Sequence, residues 1–255
     1  MNMKTGLICC IYCYLLTLIT LVSSVDRIVP GLTAPGFAAP GFAAPDMIAP
    51  DMTAPGLNAI TEPVFEAENI GAADFARIEG VSWKLGCPVP VDDLRLLKLT
   101  YLGFDGRVRV GELICHRLVA GDLTEIFREL YEMEFPIGQI RLVDEYGAND
   151  TLSMEDNNTS AFNYRVVDGT SNLSKHAYGL AVDINPVQNP YIEGGGAYVS
   201  PDAGREYLDR GNVRPGMITR GDDVYNAFVS RGWIWGGGWR TPIDYQHFQK
   251  NVKLD

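Results

Sequence analysis

Histidine is scarce in this chain, with three residues in 255, and cysteine is limited to five, three of them (Cys9, Cys10 and Cys13) near the amino terminus. Positive charge is also short: 21 Lys and Arg face 32 Asp and Glu, for a formal net charge of −11. So acidic a chain lacks the basic footprint that phosphate backbones require, which excludes nucleic acid as a partner. Beyond residue 24 only Cys87 and Cys115 remain, without the spacing of a metal pair. An oxidising compartment would permit a bridge between them, and two buried thiols would serve equally well.

Charge is missing altogether from Thr5 to Val25, after Lys4 and before Asp26 and Arg27. A basic start, an apolar stretch and the small residues Ser23 and Ser24 read as a signal peptide over residues 1–24. Its loss would remove one lysine and no acid, leaving −12. The competing reading is an uncleaved anchor, weakened by the interrupting threonines and cysteines. Either way the remainder is expected outside the cytoplasm, secreted or extracytoplasmic, in the periplasm or cell wall if the source is bacterial. Residues 25–62 contain six copies of a five-residue unit, from Pro30-Gly31-Leu32-Thr33-Ala34 to Pro55-Gly56-Leu57-Asn58-Ala59. Proline at every fifth position forbids helix and ladder strand alike, so this segment is read as an extended linker.

Residues 63–255 are of ordinary length for one domain. Leu123, Ile126, Phe127 and Leu130 follow the helical period, with Asp122 and Glu125 placed as an N-cap and its capping-box partner. A second helix is expected from Asp222 through Val224, Ala227 and Phe228, stopping at Gly232. Leu180, Val182 and Ile184 alternate with Ala181, Asp183 and Asn185, giving a strand with one greasy face and one working face, and Val108 and Val110 alternate similarly. Strands and helices without a βαβ rhythm suggest an α+β domain, an antiparallel sheet with flanking helices.

Two of the three histidines fall in short segments that each carry a carboxylate: His176 with Asp183, and His247 with Asp244. Two imidazoles, a ligating carboxylate and a spare carboxylate are what a catalytic zinc site needs. Three protein ligands hold the ion, water takes the fourth position, and the spare acid accepts that water's proton. Gly179 and Ala181, on the strand face of Asp183, leave room before its carboxylate. His116, the remaining histidine, reads as a surface or satisfied core residue.

Ser174-x-His176-x-x-Gly179-x-Ala181-x-Asp183, paired with Asp244-x-x-His247, resembles the D-alanyl-D-alanine carboxypeptidase and L-alanyl-D-glutamate endopeptidase family, zinc peptidases that share a fold with the Hedgehog signalling domain. Tyr164-Arg165, Asp183-Ile184-Asn185-Pro186, Gly232-Trp233-x-Trp235-Gly236-Gly237 and Gly86-Cys87-Pro88-Val89 extend the likeness over about residues 80–250. The resemblance implies a Zn2+ ion on His176, Asp183 and His247, Asp244 as general base, and Arg165 reaching the scissile carbonyl. The base is an aspartate where glutamate is often found, so its backbone must sit closer to the reacting water. Ser174, Trp235 and Trp239 are candidate substrate contacts, while Trp233, beside a helix end, reads as core. Asn149, Asn157, Asn158 and Asn172 head glycosylation triplets.

The expected function is therefore a secreted, monomeric zinc peptidase acting on peptidoglycan stem peptides, as a D-Ala-D-Ala carboxypeptidase or an L-Ala-D-Glu endopeptidase. A carboxypeptidase would need a cation for the substrate's terminal carboxylate, with Lys175, Arg205 and Arg240 as candidates. The alternative is a non-catalytic zinc-containing Hedgehog-like binding domain. The spare acid Asp244 favours the enzyme. A third reading, an amidase cutting the sugar–peptide linkage, uses the same chemistry on a different bond.

Overall fold

The computed structural model describes residues 62–254. The apolar start and the pentapeptide repeats lie outside the described residues. The chain runs β1 (Phe65–Asn69), α1 (Ala72–Ile78), β2 (Leu94–Leu102), β3 (Val108–His116), α2 (Arg117–Glu132), β4 (Gln139–Ile140), α3 (Asp150–Glu155), β5 (Asn158–Thr159), β6 (Ala181–Asp183), β7 (Tyr191–Glu193), β8 (Tyr198–Ser200), α4 (Asp223–Val229), β9 (Trp233–Trp235), β10 (Ile243–Asp244) and β11 (His247–Lys250). Three antiparallel sheets, β1-β2-β3, β6-β11-β9 and β10-β7-β8, are joined by a short parallel pair, β4-β5. The result is the expected α+β class.

The β2–β3 hairpin pairs from Leu94 opposite His116 to Leu102 opposite Val108. Side chains alternate across a strand, so β2 sends Leu97 and Leu99 to one face and Leu94 and Leu96 to the other. The first set meets Leu123, Ile126, Phe127 and Leu130 of α2 in the main core, and the second meets Ile78, Val89 and Phe162. Both faces of this sheet are thus covered, which explains why the leucines come nearly without interruption.

Helix α2 begins five residues before the expected cap. The strand turns directly into the helix at His116, whose buried Nδ1 accepts the Leu118 N–H at 3.1 Å and does the capping. Asp122 instead lies within the helix, where its carboxylate accepts the Trp233 indole N–H at 3.1 Å and pairs with the Lys250 ammonium. The apolar period was right and its start was not. At α4 the Asp222 carboxylate accepts the Tyr225 N–H at 2.7 Å, and the helix ends at Val229, before Gly232 turns at φ +80°.

The sheet β6-β11-β9 stands against the other side of the main core. Phe248 is opposite both Val182 and Trp235, stacks on Phe228 with ring centroids 3.9 Å apart, and is fully buried. Burying such a ring contributes about 1.5–3 kcal/mol. Trp233 is core, as expected. Cys87 and Cys115 are both free thiols, in separate packing clusters, so no bridge joins them. Among the described residues no helix is long and apolar enough to cross a membrane.

Candidate metal centre and active site

In the register of β6 with β11, Asp183 lies directly opposite His247 and Val182 opposite Phe248. Facing pairs in an antiparallel ladder share one side of the sheet. The greasy pair therefore goes to the core and the ligating pair to the other face. His176 arrives from a single turn of 3-10 helix over Lys175–Tyr178, closed by Gly179 at φ +64°. A side chain at Gly179 would meet the His116 backbone nitrogen at 2.6 Å, and its carbonyl accepts that N–H at 2.9 Å. Glycine is required there both for the left-handed turn and for the close approach to β3.

The three side chains converge, all buried, with ligand atoms within 4.8 Å of one another. His247 Nδ1 is 2.9 Å from Asp183 Oδ1, His176 Nε2 is 3.1 Å from Asp183 Oδ2, and the two ring nitrogens are 3.2 Å apart. Their outward nitrogens are also held. His176 Nδ1 lies 2.5 Å from the Ala161 carbonyl, which can only accept, so that nitrogen carries the proton. His247 Nε2 is 3.2 Å from Gln249 Oε1. With both N–H groups turned outward, two imidazole lone pairs and a carboxylate face one another in a buried space. Such a set repels itself unless a proton or a metal ion sits among its members. The donor set, two nitrogens and a carboxylate with outer partners orienting the rings, fits zinc.

The electrostatics follow from that crowding. Burial opposes the charge on Asp183, but the nearby His176 and hydrogen bonds from both histidines hold its carboxyl well below the usual carboxylate range. Burial likewise opposes charge on His247, yet Asp183 outweighs it and the imidazole is pushed up to about 9.

Asp244 sits on β10, three residues before β11 begins. It is packed by the glycine run: a side chain on Gly236 would strike the Asp244 carbonyl at 2.7 Å and its Cβ at 3.0 Å. Its Oδ1 is fully enclosed and has no hydrogen-bond partner. Burial, partly offset by His247 and reinforced by Asp183, pushes this carboxyl up to about 7. It therefore holds a proton more readily than an ordinary carboxyl does.

The other candidate residues sort differently. Trp239 walls the site, its ring centroid 5.5 Å from that of His247. Trp235 corrects the expectation of a substrate contact. Only 6% exposed, it packs against Tyr225, Tyr245 and Phe248 and spends its indole N–H on the Tyr245 carbonyl at 2.8 Å. On an inward position of β9, its ring belongs to the core. Ser174 is buried, and its hydroxyl accepts the His176 N–H at 3.2 Å as the cap of the ligand-bearing turn. Arg165 is tied to this turn through its carbonyl, which accepts the Ser174 N–H, while its guanidinium pairs with Asp150 at 2.7 Å. Of the cations considered for a terminal carboxylate, Arg205 is already paired with Asp202 at 2.7 Å. Sequence reasoning missed Gln249, although its place two residues after His247 on the same strand face was a readable signal.

Residues 168–250 match the family model described as D-alanyl-D-alanine carboxypeptidase. That segment is similar to the family. The match holds His176, Asp183, Asp244 and His247, and it supports a peptidase acting on cell-wall peptides. It is shorter than the expected reach: Tyr164-Arg165 and Gly86-Cys87-Pro88-Val89 lie outside it. No curated protein and no solved structure matches this chain. The likeness to the carboxypeptidase family thus rests on the segment that also builds the buried cluster.

Proposed function

We propose that the chain is a secreted, monomeric zinc peptidase that hydrolyses one peptide bond of peptidoglycan stem peptides, at D-Ala-D-Ala or at L-Ala-D-Glu, on a Hedgehog-type fold. One observation carries this reading: Asp244, with its enclosed, unpartnered Oδ1, is close enough to the buried His176–Asp183–His247 cluster to feel the charge of all three. A purely structural ion needs no spare acid, which weighs against the binding-domain alternative.

His176 Nε2, Asp183 and His247 Nδ1 would hold the ion. When bound, zinc supplies Lewis acidity toward water and the scissile carbonyl. Asp244, whose burial raises its affinity for a proton, accepts at Oδ1 the proton of the attacking water and returns it to the departing amine. Arg165, oriented by Asp150, offers positive charge to the carbonyl oxygen as it gains electrons. Trp239 covers the His247 side of the cleft and keeps bulk water from the ring. Secretion rests on the apolar start, a leader of residues 1–24 followed by the repeat linker.

The test is mass spectrometry of muropeptides incubated with the zinc-loaded full chain. Loss of a single alanine from pentapeptides identifies the carboxypeptidase, and peptides beginning with D-glutamate identify the endopeptidase. Asp244→Ala, loaded with zinc to the same stoichiometry, should yield neither. Absence of cleavage by the zinc-loaded wild type would overturn the cell-wall substrate in favour of the binding domain.

A further inference from the structure

The small sheet β10-β7-β8 carries more than Asp244. Its register sets Asp244 opposite Tyr191, Tyr191 opposite Ser200, and Glu193 opposite Tyr198. Because side chains alternate, Asp244, Tyr191, Glu193 and Tyr198 all share one face, while Ile243, Ile192 and Val199 take the other. Ile192 and Val199 are buried. On Asp244's face Ser200 is buried and Tyr191 half-buried, while Glu193 and Tyr198 reach the surface.

Tyr191 and Tyr198 meet edge to face, with centroids 6.1 Å apart and planes at 77°, and Tyr198 is 55% exposed. The Tyr191 hydroxyl donates to Glu193 Oε2 at 3.4 Å, a long contact. Burial, with the charges of Glu193 and Asp244, pushes that hydroxyl up to about 12, so it stays a neutral donor. Glu193 is exposed and forms no ion pair among the described residues. An unpaired carboxylate flanked by two aromatic rings is complementary to an ammonium group, which gains from both the charge and the ring quadrupoles.

We infer that Tyr191, Glu193 and Tyr198 form a substrate subsite that receives a side-chain ammonium of the peptide being cut. This inference rests on the peptidase reading and adds which part of the substrate is read. Neighbouring strands lie about 4.8 Å apart, so two steps from β10 to β8 carry the face about 10 Å from Asp244. A peptide chain covers that distance in about three residues. In a stem peptide ending D-Ala-D-Ala, the diamino residue lies one residue away from the bond-bearing residue for either cut. It lies on the amino side of the D-Ala-D-Ala bond and on the carboxyl side of the L-Ala-D-Glu bond, so this face, on one side of Asp244, meets its ammonium in one of the two cuts.

The experiment uses the zinc-loaded full chain and two synthetic stem pentapeptides, one with lysine at the diamino position and one with Nε-acetyl-lysine. The wild type should cut the lysine peptide with a kcat/KM about tenfold higher, mainly through KM, since the contact is present before and during the reaction. In Glu193→Gln, and in Tyr198→Leu, the ratio between the peptides should collapse toward one. Equal rates on both peptides by the wild type, or a ratio unchanged in Glu193→Gln, would overturn the subsite and leave the peptidase standing. Cleavage of neither peptide would overturn the peptidase reading, and the subsite with it.

Discussion

The guanidinium of Arg210 lies 4.3 Å from the centroid of the Tyr245 ring, between Asp244 and His247 in sequence. It donates to the Gln188 carbonyl at 2.7 Å and to Asn189 Oδ1 at 3.0 Å, and bonds the Ile218 carbonyl as well. No carboxylate pairs with it among the described residues, and burial pulls it down to about 10. A cation so held fixes the strand connection bearing the acid and the last ligand. Arg210→Met should leave these acceptors unpaired and cost about 2–4 kcal/mol. Urea denaturation reads this, and a midpoint within error of wild type would dismiss the role.

Zinc bound as proposed would compete with protons for the same lone pairs. Since Asp183 holds His247 up to about 9, metal binding at pH 7.5 should displace about one proton. Calorimetric titration in buffers of different ionisation enthalpy measures that number directly. Proton release near zero would mean that His247 is not a ligand.

Gln249 holds the outward nitrogen of His247 without touching the proposed ion position. Gln249→Ala should weaken zinc affinity about 10–100-fold with little change in stability. Competition with a chromogenic chelator checks the first part and thermal denaturation with zinc in excess the second.

His116 caps α2 only as the neutral ring, because Nδ1 must accept the Leu118 N–H. Burial, assisted by Arg117 and Arg95 and opposed by Asp93, places its folded value below the ordinary 6.5. For a base so depressed, the stabilisation is complete above about 6.5 and is lost as pH falls through the folded value. His116→Asn keeps a capping acceptor without titrating. Between pH 7 and pH 5, the denaturation midpoint should therefore drop less in His116→Asn than in wild type. Equal drops would remove His116 from the acid sensitivity of the fold.

Asp244→Asn should lower turnover by about 10²–10⁴-fold while zinc stoichiometry stays unchanged. Single-turnover assays on the stem pentapeptide, beside metal analysis of the same sample, separate lost chemistry from lost metal. Retained turnover would move the proton-transfer role elsewhere.

What could be read from the sequence was whatever obeys a local period. His247 was legible from the Asp244-x-x-His247 spacing alone, whereas Asp183 was legible because it sits on a strand whose alternate residues are greasy, so its working face was implied before the pairing was known. The helical core of α2 was legible for the same reason, but its start was not. A histidine cap has no strong positional signature, and the Asp122–Glu125 pattern imitates a box while serving Trp233 and Lys250 instead. Trp235 is not a substrate contact because strand alternation turns its ring inward. Tyr191, Glu193 and Tyr198 gave no signal at all. Their strands are three residues long, and only pairing with β10, some 50 residues later, puts them on Asp244's face.

The alternation of β6 and β11 ties the metal centre to the hydrophobic interior with no slack between them. Sliding one strand past the other by a single residue would turn Phe248 outward and drive His247 into the core, because every side chain changes face at once. An ion gripped by Asp183 and His247 rewards only the correct alignment. Bound metal would thus act on this protein as a gauge of correct assembly, and a misaligned copy would betray itself twice, by an exposed phenyl ring and by failure to retain zinc.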